Sequence, residues 1–384
     1  MTTTSAPVKP VPLRPAVDRT DISILLTAGA LLVIGLVMSL SASSVRSAES
    51  TGSAFTLFGR QFMSAAFGCA ALIGGARFDY RRLRGLSYAA VPMIWVLLVM
   101  TLMPGIGVRA GGAARWLPLG PLTLQPSELA KLVLILFGAD VLSRKIGKLD
   151  DWRHLIIPFF LVVGATCVLV LTQPDFGTVV IIAATSLVVA YVAGADLKQL
   201  VAFTMLAVII AIPAMLTAGY RRSRLLTFLG GGHDCLNTAY QTCQGLVALG
   251  SGHWFGLGLG SSRQKYMYLP NADTDFIFAI LGEETGLIGG LTVIFLFVVL
   301  AVLGVRAARR APDAFGLILA AGVTGWITLQ ALLNLGAVVG VLPITGVPLP
   351  LISFGSTSLL SSLAGLGLVA SVARRGRPPP RERE

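Results

Sequence analysis

Charged residues are scarce in this chain. Asp, Glu, Lys and Arg make up 12% of its 384 residues against 55% hydrophobic ones, and the mean hydropathy is +0.80. A water-soluble domain of this size needs a larger charged surface, so the composition excludes one and points to a polytopic membrane protein. Cysteine is scarce too. Cys69 and Cys167 fall inside apolar runs and read as core residues, while Cys235 and Cys243 share one long loop. None of the four has the spacing of a zinc site. A nucleotide motif is also missing. Gly256-Leu257-Gly258-Leu259-Gly260 imitates a phosphate-binding fingerprint, but no strand pattern precedes it, no P-loop lysine follows, and it falls on the wrong side of the membrane for ATP. Its glycines are expected to serve tight turns and close backbone approach. No targeting tail is legible, and the stretch from Arg377-Pro378-Pro379-Pro380 onward reads as a short disordered end. Ser41-Ala42-Ser43 after the first apolar run has a signal-peptide look. Its polar lead-in is long and the run is of spanning length, so an uncleaved helix is expected.

What the chain does have is apolar runs near membrane-spanning length. Ten are expected to cross, at about 22–42, 58–76, 87–104, 128–143, 155–172, 176–194, 199–218, 285–305, 314–336 and 353–372. The expected fold class is therefore all-α, a polytopic membrane bundle of about ten transmembrane helices with a large extracytoplasmic loop. Basic residues orient it. With the N-terminus in the cytoplasm, twenty Lys and Arg fall on the inner side, including Arg77, Arg81, Arg84, Arg144, Lys145, Arg309 and Arg310. The short outer loops hold only Arg46, Arg60, Arg109 and Arg115. Both termini are expected in the cytoplasm, with an N-terminal tail at 1–21, a membrane domain at 22–373 and a C-terminal tail at 374–384. The net charge of +12 is thus a topology signal, and its dispersal among loops excludes a nucleic-acid partner.

One outer segment, about 219–275, is far longer than the others, and loops of that length are functional or disordered. Trp254, Phe255, Tyr266, Tyr268 and many glycines argue for a packed lid. An oxidising outer face permits a disulfide between Cys235 and Cys243. The loop opens on Tyr220-Arg221-Arg222-Ser223-Arg224, whose arginines suit lipid phosphates at the interface or the phosphates of a substrate. It closes on Asp273-Thr274-Asp275-Phe276. A carboxylate where a membrane helix begins is costly unless wet, paired or used. Two readings stand side by side: Thr274 or Asp275 caps the helix, or Asp275 does chemistry.

The apolar part of that helix, Thr285–Val305, already spans, so Phe276–Glu284 is expected as two extra turns in the outer interface or a cavity. Glu283 falls about 80° around the helix from Asp275 and is the expected cavity neighbour. A second outer segment carries Arg115-Trp116 and then Gln125-Pro126-Ser127-Glu128-Leu129-Ala130-Lys131. Ser127 suits a helix start. Glu128 and Lys131 share a helix face, either as a structural pair or lining a polar cavity. Near the C-terminus, Pro343, Pro348 and Pro350 forbid a helix and fix an extended loop, which at membrane depth must line a cavity or lie buried in protein.

Taken in order, these blocks resemble the SEDS family of cell-wall proteins over nearly the whole chain. The matching blocks are Ala114-Arg115-Trp116, Gln125 to Lys131, Tyr240-Gln241, Gly258-Leu259-Gly260, Tyr268-Leu269-Pro270, Thr274-Asp275-Phe276-Ile277-Phe278, Gly282-Glu283-Glu284 and Leu349-Pro350-Leu351-Ile352-Ser353. Three positions depart from the family's pattern: Asp273 stands where it usually has His, Thr285 where it has Leu, and Ser356-Thr357 where Gly-Ser is typical. Arg221–Phe228, Ser262–Leu269 and Asp150-Asp151-Trp152-Arg153 look more like an actinobacterial form of the division branch, FtsW, than like the elongation branch, RodA.

The resemblance implies a ten-helix bundle that polymerises lipid II, an undecaprenyl-diphosphate-linked disaccharide peptide, at the outer face of the bacterial cytoplasmic membrane. It further implies a role at the division septum, a class B penicillin-binding protein transpeptidase as partner, and contact with other division proteins. The chemistry of such a step assigns roles. A sugar hydroxyl attacks an anomeric carbon and needs a carboxylate base, expected at Asp275. The departing diphosphate needs positive charge or a divalent cation, Mg or Mn, and Arg115, Lys131, Arg221, Arg224 and Lys265 are the cationic candidates. Glu128, Tyr240, Gln241, Glu283 and Ser353 complete the expected substrate-binding set. A single carboxylate suits inversion by direct displacement. Two other classes were weighed: a lipid II flippase with Glu128, Lys131 and Asp140 as a polar track, and a non-catalytic division scaffold. The clustering of polar motifs at the outer face favours the polymerase.

Overall fold

The computed structural model describes residues 19–376, except 111–112, 121, 150, 217–218, 220–221, 223–227, 229–234, 238 and 267. Lipid offers no water to backbone polar groups, so each apolar run closes its own hydrogen bonds as a helix. Ten long helices are described: α1 (Thr20–Thr51), α2 (Thr56–Arg77), α3 (Leu86–Leu102), α4 (Pro126–Ser143), α5 (Trp152–Leu171), α6 (Phe176–Ala193), α7 (Leu197–Leu216), α9 (Ile277–Arg309), α10 (Ala314–Val338) and α11 (Ser356–Arg374). A shorter helix, α8 (Tyr240–Ser251), lies in the large outer loop. Seven are long and apolar enough to cross a membrane, and α3 and α7 are shorter apolar helices. The tenth, α4, carries Glu128, Lys131 and Asp140 within an otherwise apolar stretch. The chain is an all-α polytopic membrane bundle, and the expected spans agree with these helices to within a few residues apart from the long ends of α1 and α9.

Local chemistry sets the ends and breaks. Asp175 and Asp313 cap α6 and α10 by accepting the Thr178 and Gly316 amides. Pro158 removes a backbone donor from α5, and the helix passes through a π turn at Ile156–Phe160. Gly286, with φ 69° and ψ −168°, breaks α9 into a short outer half and a long spanning half. That break divides Phe276–Glu284 from the spanning part, as the length argument anticipates. Residues 277–284 are all buried, enclosed by α1, α8 and α10.

The most enclosed helix is α11, against which α1, α2 and α10 pack, while α4, α6 and α10 form an adjoining layer. By contrast, α7 packs mainly on α6, and Met205, Ile209 and Ile212 are exposed. On the side assigned to the cytoplasm, Asp313 ties the turn at Tyr80–Leu83 to the start of α10. The Tyr80 hydroxyl donates to it at 2.7 Å and Arg81 Nε at 2.9 Å. Burial and the adjacent Asp313 carboxylate push Tyr80 up to about 12, so it stays the donor at neutral pH. Burial opposes ionisation of Asp313, but bonds from Gly316, Tyr80 and Arg81 outweigh it and hold that carboxyl below its ordinary value.

Where the sequence reading expected only a polar outer segment, three short strands form an antiparallel sheet in the order β1 (Val108–Ala110), β2 (Ala113–Leu119), β3 (Leu122–Leu124). Leu117 pairs with Leu124 and Leu119 with Leu122. β1 and β3 have only three residues each and β2 shows no regular alternation of buried and exposed positions, so periodicity does not reveal them.

Candidate active site

The turn carrying Asp275 is fixed by its own backbone carbonyls. Thr274 and Phe276 amides both donate to Asn271 O, at 3.2 and 3.3 Å. Three successive carbonyls then accept from two places, the loop at Ser353 and Phe354 and the Asn334 side chain of α10. Asp273 O takes the Phe354 amide at 3.0 Å, Thr274 O the Ser353 hydroxyl at 2.6 Å, and Asp275 O the Asn334 side-chain amide at 2.8 Å. The same Asn334 nitrogen also reaches Val347 O at 2.7 Å, and Gln330, one helical turn earlier on α10, donates to Pro348 O at 2.9 Å. Those bonds satisfy the proline loop, which is how extended backbone persists at membrane depth. Asp275 itself is half-buried, one residue ahead of the helix N-cap, which is Phe276 and has no capping side chain.

Ser353 was expected to bind substrate. Its hydroxyl instead donates to Thr274 O and accepts the Leu349 amide at 2.8 Å, so it serves the turn. Asp273 faces Arg46 of α1, whose Nη1 lies 2.9 and 3.0 Å from the two carboxylate oxygens. The acid that departs from the family pattern is thus neutralised locally.

The paired glutamates of α9 hold the glycine-rich loop. Glu283 accepts from Ser262 Oγ at 2.5 Å, Arg263 N at 3.0 Å and Gln264 N at 3.4 Å. Glu284 accepts from Ser41 Oγ at 2.5 Å and Ser262 N at 3.2 Å, with Lys265 Nζ 3.6 Å away. Glu283 is accordingly a loop anchor enclosed by amides, and Lys265 is buried against Gly260 O, Ser41 and Glu284. The loop closes onto the α9 break. Leu257 and Gly258 amides donate to the carbonyls of Glu283 and Glu284, and His253 and Trp254 carbonyls accept the Leu287 and Ile288 amides that the kink releases. A Cβ on Gly286 would meet Gly256 N at 2.4 Å and Trp254 O at 2.5 Å, in a backbone region open essentially to glycine alone. Gly286→Ala is expected to cost about 1–3 kcal/mol or more and to lower the thermal unfolding midpoint of the detergent-solubilised protein by several degrees. An unchanged midpoint would show that the loop is not seated on the kink.

Further out, Cys235 and Cys243 are joined as a disulfide, with Cα atoms 5.6 Å apart, pinning the loop to α8. Tyr240 and Gln241 open α8, and Gln241 Nε2 donates to Pro270 O at 3.1 Å, beside the Asp275 turn. Arg221 and Arg224 lie outside the described residues.

A second polar cluster surrounds the start of α4. Asp175 collects Thr178 Oγ1 at 2.9 Å, Gln125 Nε2 at 3.2 Å and Ser127 Oγ at 3.3 Å, with Arg115 Nη1 at 3.9 Å. Arg115 also donates to the carbonyls of Gln173 and Pro174. Glu128 and Lys131 form a fully buried ion pair at 2.8 Å, and Lys131 bonds Gln330 Oε1 at 2.8 Å as well. Lys131 lies in the buried seam of α4 and α10, so it reaches the Asp275 turn only through Gln330 and the proline loop. Asp140 is at the opposite end of α4, bound by Arg144 and the Gly85 amide. Glu128, Lys131 and Asp140 are therefore not one continuous track. Sequence reasoning missed Asp175, Gln330 and the Arg46–Asp273 contact. Pro174-Asp175 before an apolar run was the available signal for the first.

Comparison with known proteins places this architecture. The family described as "Cell cycle protein", covering FtsW, RodA and SpoVE, matches residues 22–377. The chain belongs to that family. Within it, the Stage V sporulation protein E of Bacillus subtilis (strain 168) is 38% identical over 347 residues, 90% of this chain and 95% of its own. A probable peptidoglycan glycosyltransferase FtsW of Geobacter metallireducens is 36% identical over 364 residues, 95% of this chain and 97% of its own. A solved structure described as structural coordination of polymerization and crosslinking by a peptidoglycan synthase complex aligns with a TM-score of 0.73 at 28% identity, covering 92% of this chain and 97% of that one. The FtsW/RodA/SpoVE family thus includes relatives that share nearly the full length of this chain.

Proposed function

We propose that this chain is a peptidoglycan glycosyltransferase that polymerises lipid II into glycan strands, acting in cell division. The observation that carries the reading is Asp275: a half-buried carboxylate on a turn whose three carbonyls are each held from elsewhere in the bundle. Such rigidity is what a positioned base requires. Asp275 takes the proton of the acceptor sugar's C4 hydroxyl as its oxygen attacks the anomeric carbon of the donor. The bond to undecaprenyl diphosphate breaks, and the configuration inverts. The name peptidoglycan glycosyltransferase borne by relatives supports the same chemistry.

The cationic side of the site is narrower than composition alone indicates. Lys131 and Lys265 are committed to internal partners and Arg115 mainly to loop carbonyls, so of the expected cationic residues Arg221 and Arg224 are the ones proposed for the diphosphate. A divalent cation, Mg or Mn, is the alternative source of positive charge there. No cluster of three or more His, Cys, Asp or Glu gathers among the described residues, so these residues do not form a resident cage, and no step is routed through an ion.

The proposed setting is the bacterial cytoplasmic membrane at the septum, with both termini inside and the Asp275 turn at the outer face. The asymmetry of basic residues supports that orientation. A class B penicillin-binding protein is the proposed partner, supported by the likeness to a chain of a peptidoglycan synthase complex. The separation of Asp140 from Glu128 and Lys131 weighs against the flippase reading. Purified protein incubated with lipid II, with and without such a partner, is expected to yield glycan chains resolvable on a gel. Failure to polymerise bound lipid II in both arms would overturn the assignment.

A further inference from the structure

We propose that the Arg46–Asp273 ion pair is a positioning clasp for Asp275, which makes the outer end of α1 part of the catalytic apparatus. The inference rests on the assignment of Asp275 as the base. The Asp273 side chain is only 3% exposed, while that of Arg46 is 53% exposed. A carboxylate so deeply placed is tolerated only when its charge is met, and Arg46 meets both oxygens. The three carbonyl bonds hold the turn from the proline loop and α10. The ion pair holds it from the other wall, α1. Only Thr274 separates the clasped acid from the catalytic one, so a rotation of the turn displaces the Asp275 carboxylate directly.

The clasp is expected to act on positioning as well as on stability. Arg46 lies near the outer end of α1, past the helix's large buried apolar residues, while its partner Asp273 is buried in the turn that carries Asp275. Misplacing a reacting group by about an ångström costs up to about 10²-fold in rate. One nitrogen, Nη1, serves both carboxylate oxygens, so the arginine fork is not what this contact uses. A lysine ammonium supplies the same kind of point contact.

The test uses full-length protein with lipid II and four variants: Arg46→Met, Asp273→Asn, Arg46→Lys and Asp275→Asn. Arg46→Met and Asp273→Asn are expected to lose about 10- to 100-fold in kcat. The KM for lipid II should hold within about 2-fold, and Arg46→Lys should recover most of the rate. In parallel, hydrogen exchange in Arg46→Met is expected to quicken in the 269–278 segment more than in the rest of the bundle, with a lowered unfolding midpoint because the buried Asp273 carboxylate loses its partner. Parent-like kcat in Arg46→Met, a loss confined to KM, or unaltered exchange in 269–278 would each overturn the clasp. Parent-like polymerisation by Asp275→Asn would instead remove the base assignment. The exchange arm would still decide whether Arg46 orders the turn.

Discussion

Asp275→Asn is expected to leave a folded protein that binds lipid II but polymerises it at least about 10²-fold more slowly. The substitution keeps size and shape and removes the charge and basicity of the carboxylate. Its structural effect should be small, because the bond from Asn334 goes to the backbone carbonyl of residue 275, and the helix N-cap is Phe276. Neither depends on the carboxylate. Three measurements on the same preparation separate the cases: thermal unfolding, lipid II binding and polymer yield. Intact folding and binding with lost polymer identify a base. A rate close to the parent's in a folded variant would leave Asp275 a structural residue, and Glu283 is poorly placed to take over, since its oxygens are already engaged by Ser262 and the 263–264 amides.

The helices were legible because lipid leaves a long apolar run few alternatives, and the run lengths alone foretold that Phe276–Glu284 is separate from the spanning part of α9. The pairing of Glu128 with Lys131 followed from their spacing of three on a helix. Burial and partners were less legible, for one physical reason. Helical phase says which way a side chain points, but the groups that meet it come from elsewhere in the chain. Glu283 was placed beside Asp275 by phase, whereas its space is filled by a loop folding back from residues 262–264. Ser353 was named for the family block it belongs to and Lys265 for its positive charge, and neither criterion reveals an internal partner. Their partners, Thr274 and Glu284, appear only once the proline loop and the glycine loop are folded in. Arg46 was read as a topology count, and its partner lies 227 positions away.

The buried pair in α4 should show the reverse pattern to Asp275. Lys131→Met is expected to destabilise the protein by about 3–5 kcal/mol, the usual cost of breaking a buried pair from one side. Both side chains are essentially inaccessible, and among the described residues Lys131 is the group that neutralises Glu128. The damage should also spread. Lys131 and the Trp326 indole N–H both donate to Gln330 Oε1 at 2.8 Å, and the other end of Gln330 holds Pro348 O in the proline loop that clamps the Asp275 turn. Activity is therefore expected to fall along with stability. The double variant Glu128→Gln with Lys131→Met removes both charges and retains a neutral polar side chain at position 128. It is expected to regain a substantial share of the lost stability, because an uncompensated charge costs more than a missing pair. Unfolding midpoints of the parent, both single variants and the double variant form a closed cycle. A double variant no more stable than Lys131→Met would mean that Lys131 acts through its contacts with Gln330 and Trp326, and the charge of Glu128 would not be what makes the site fragile.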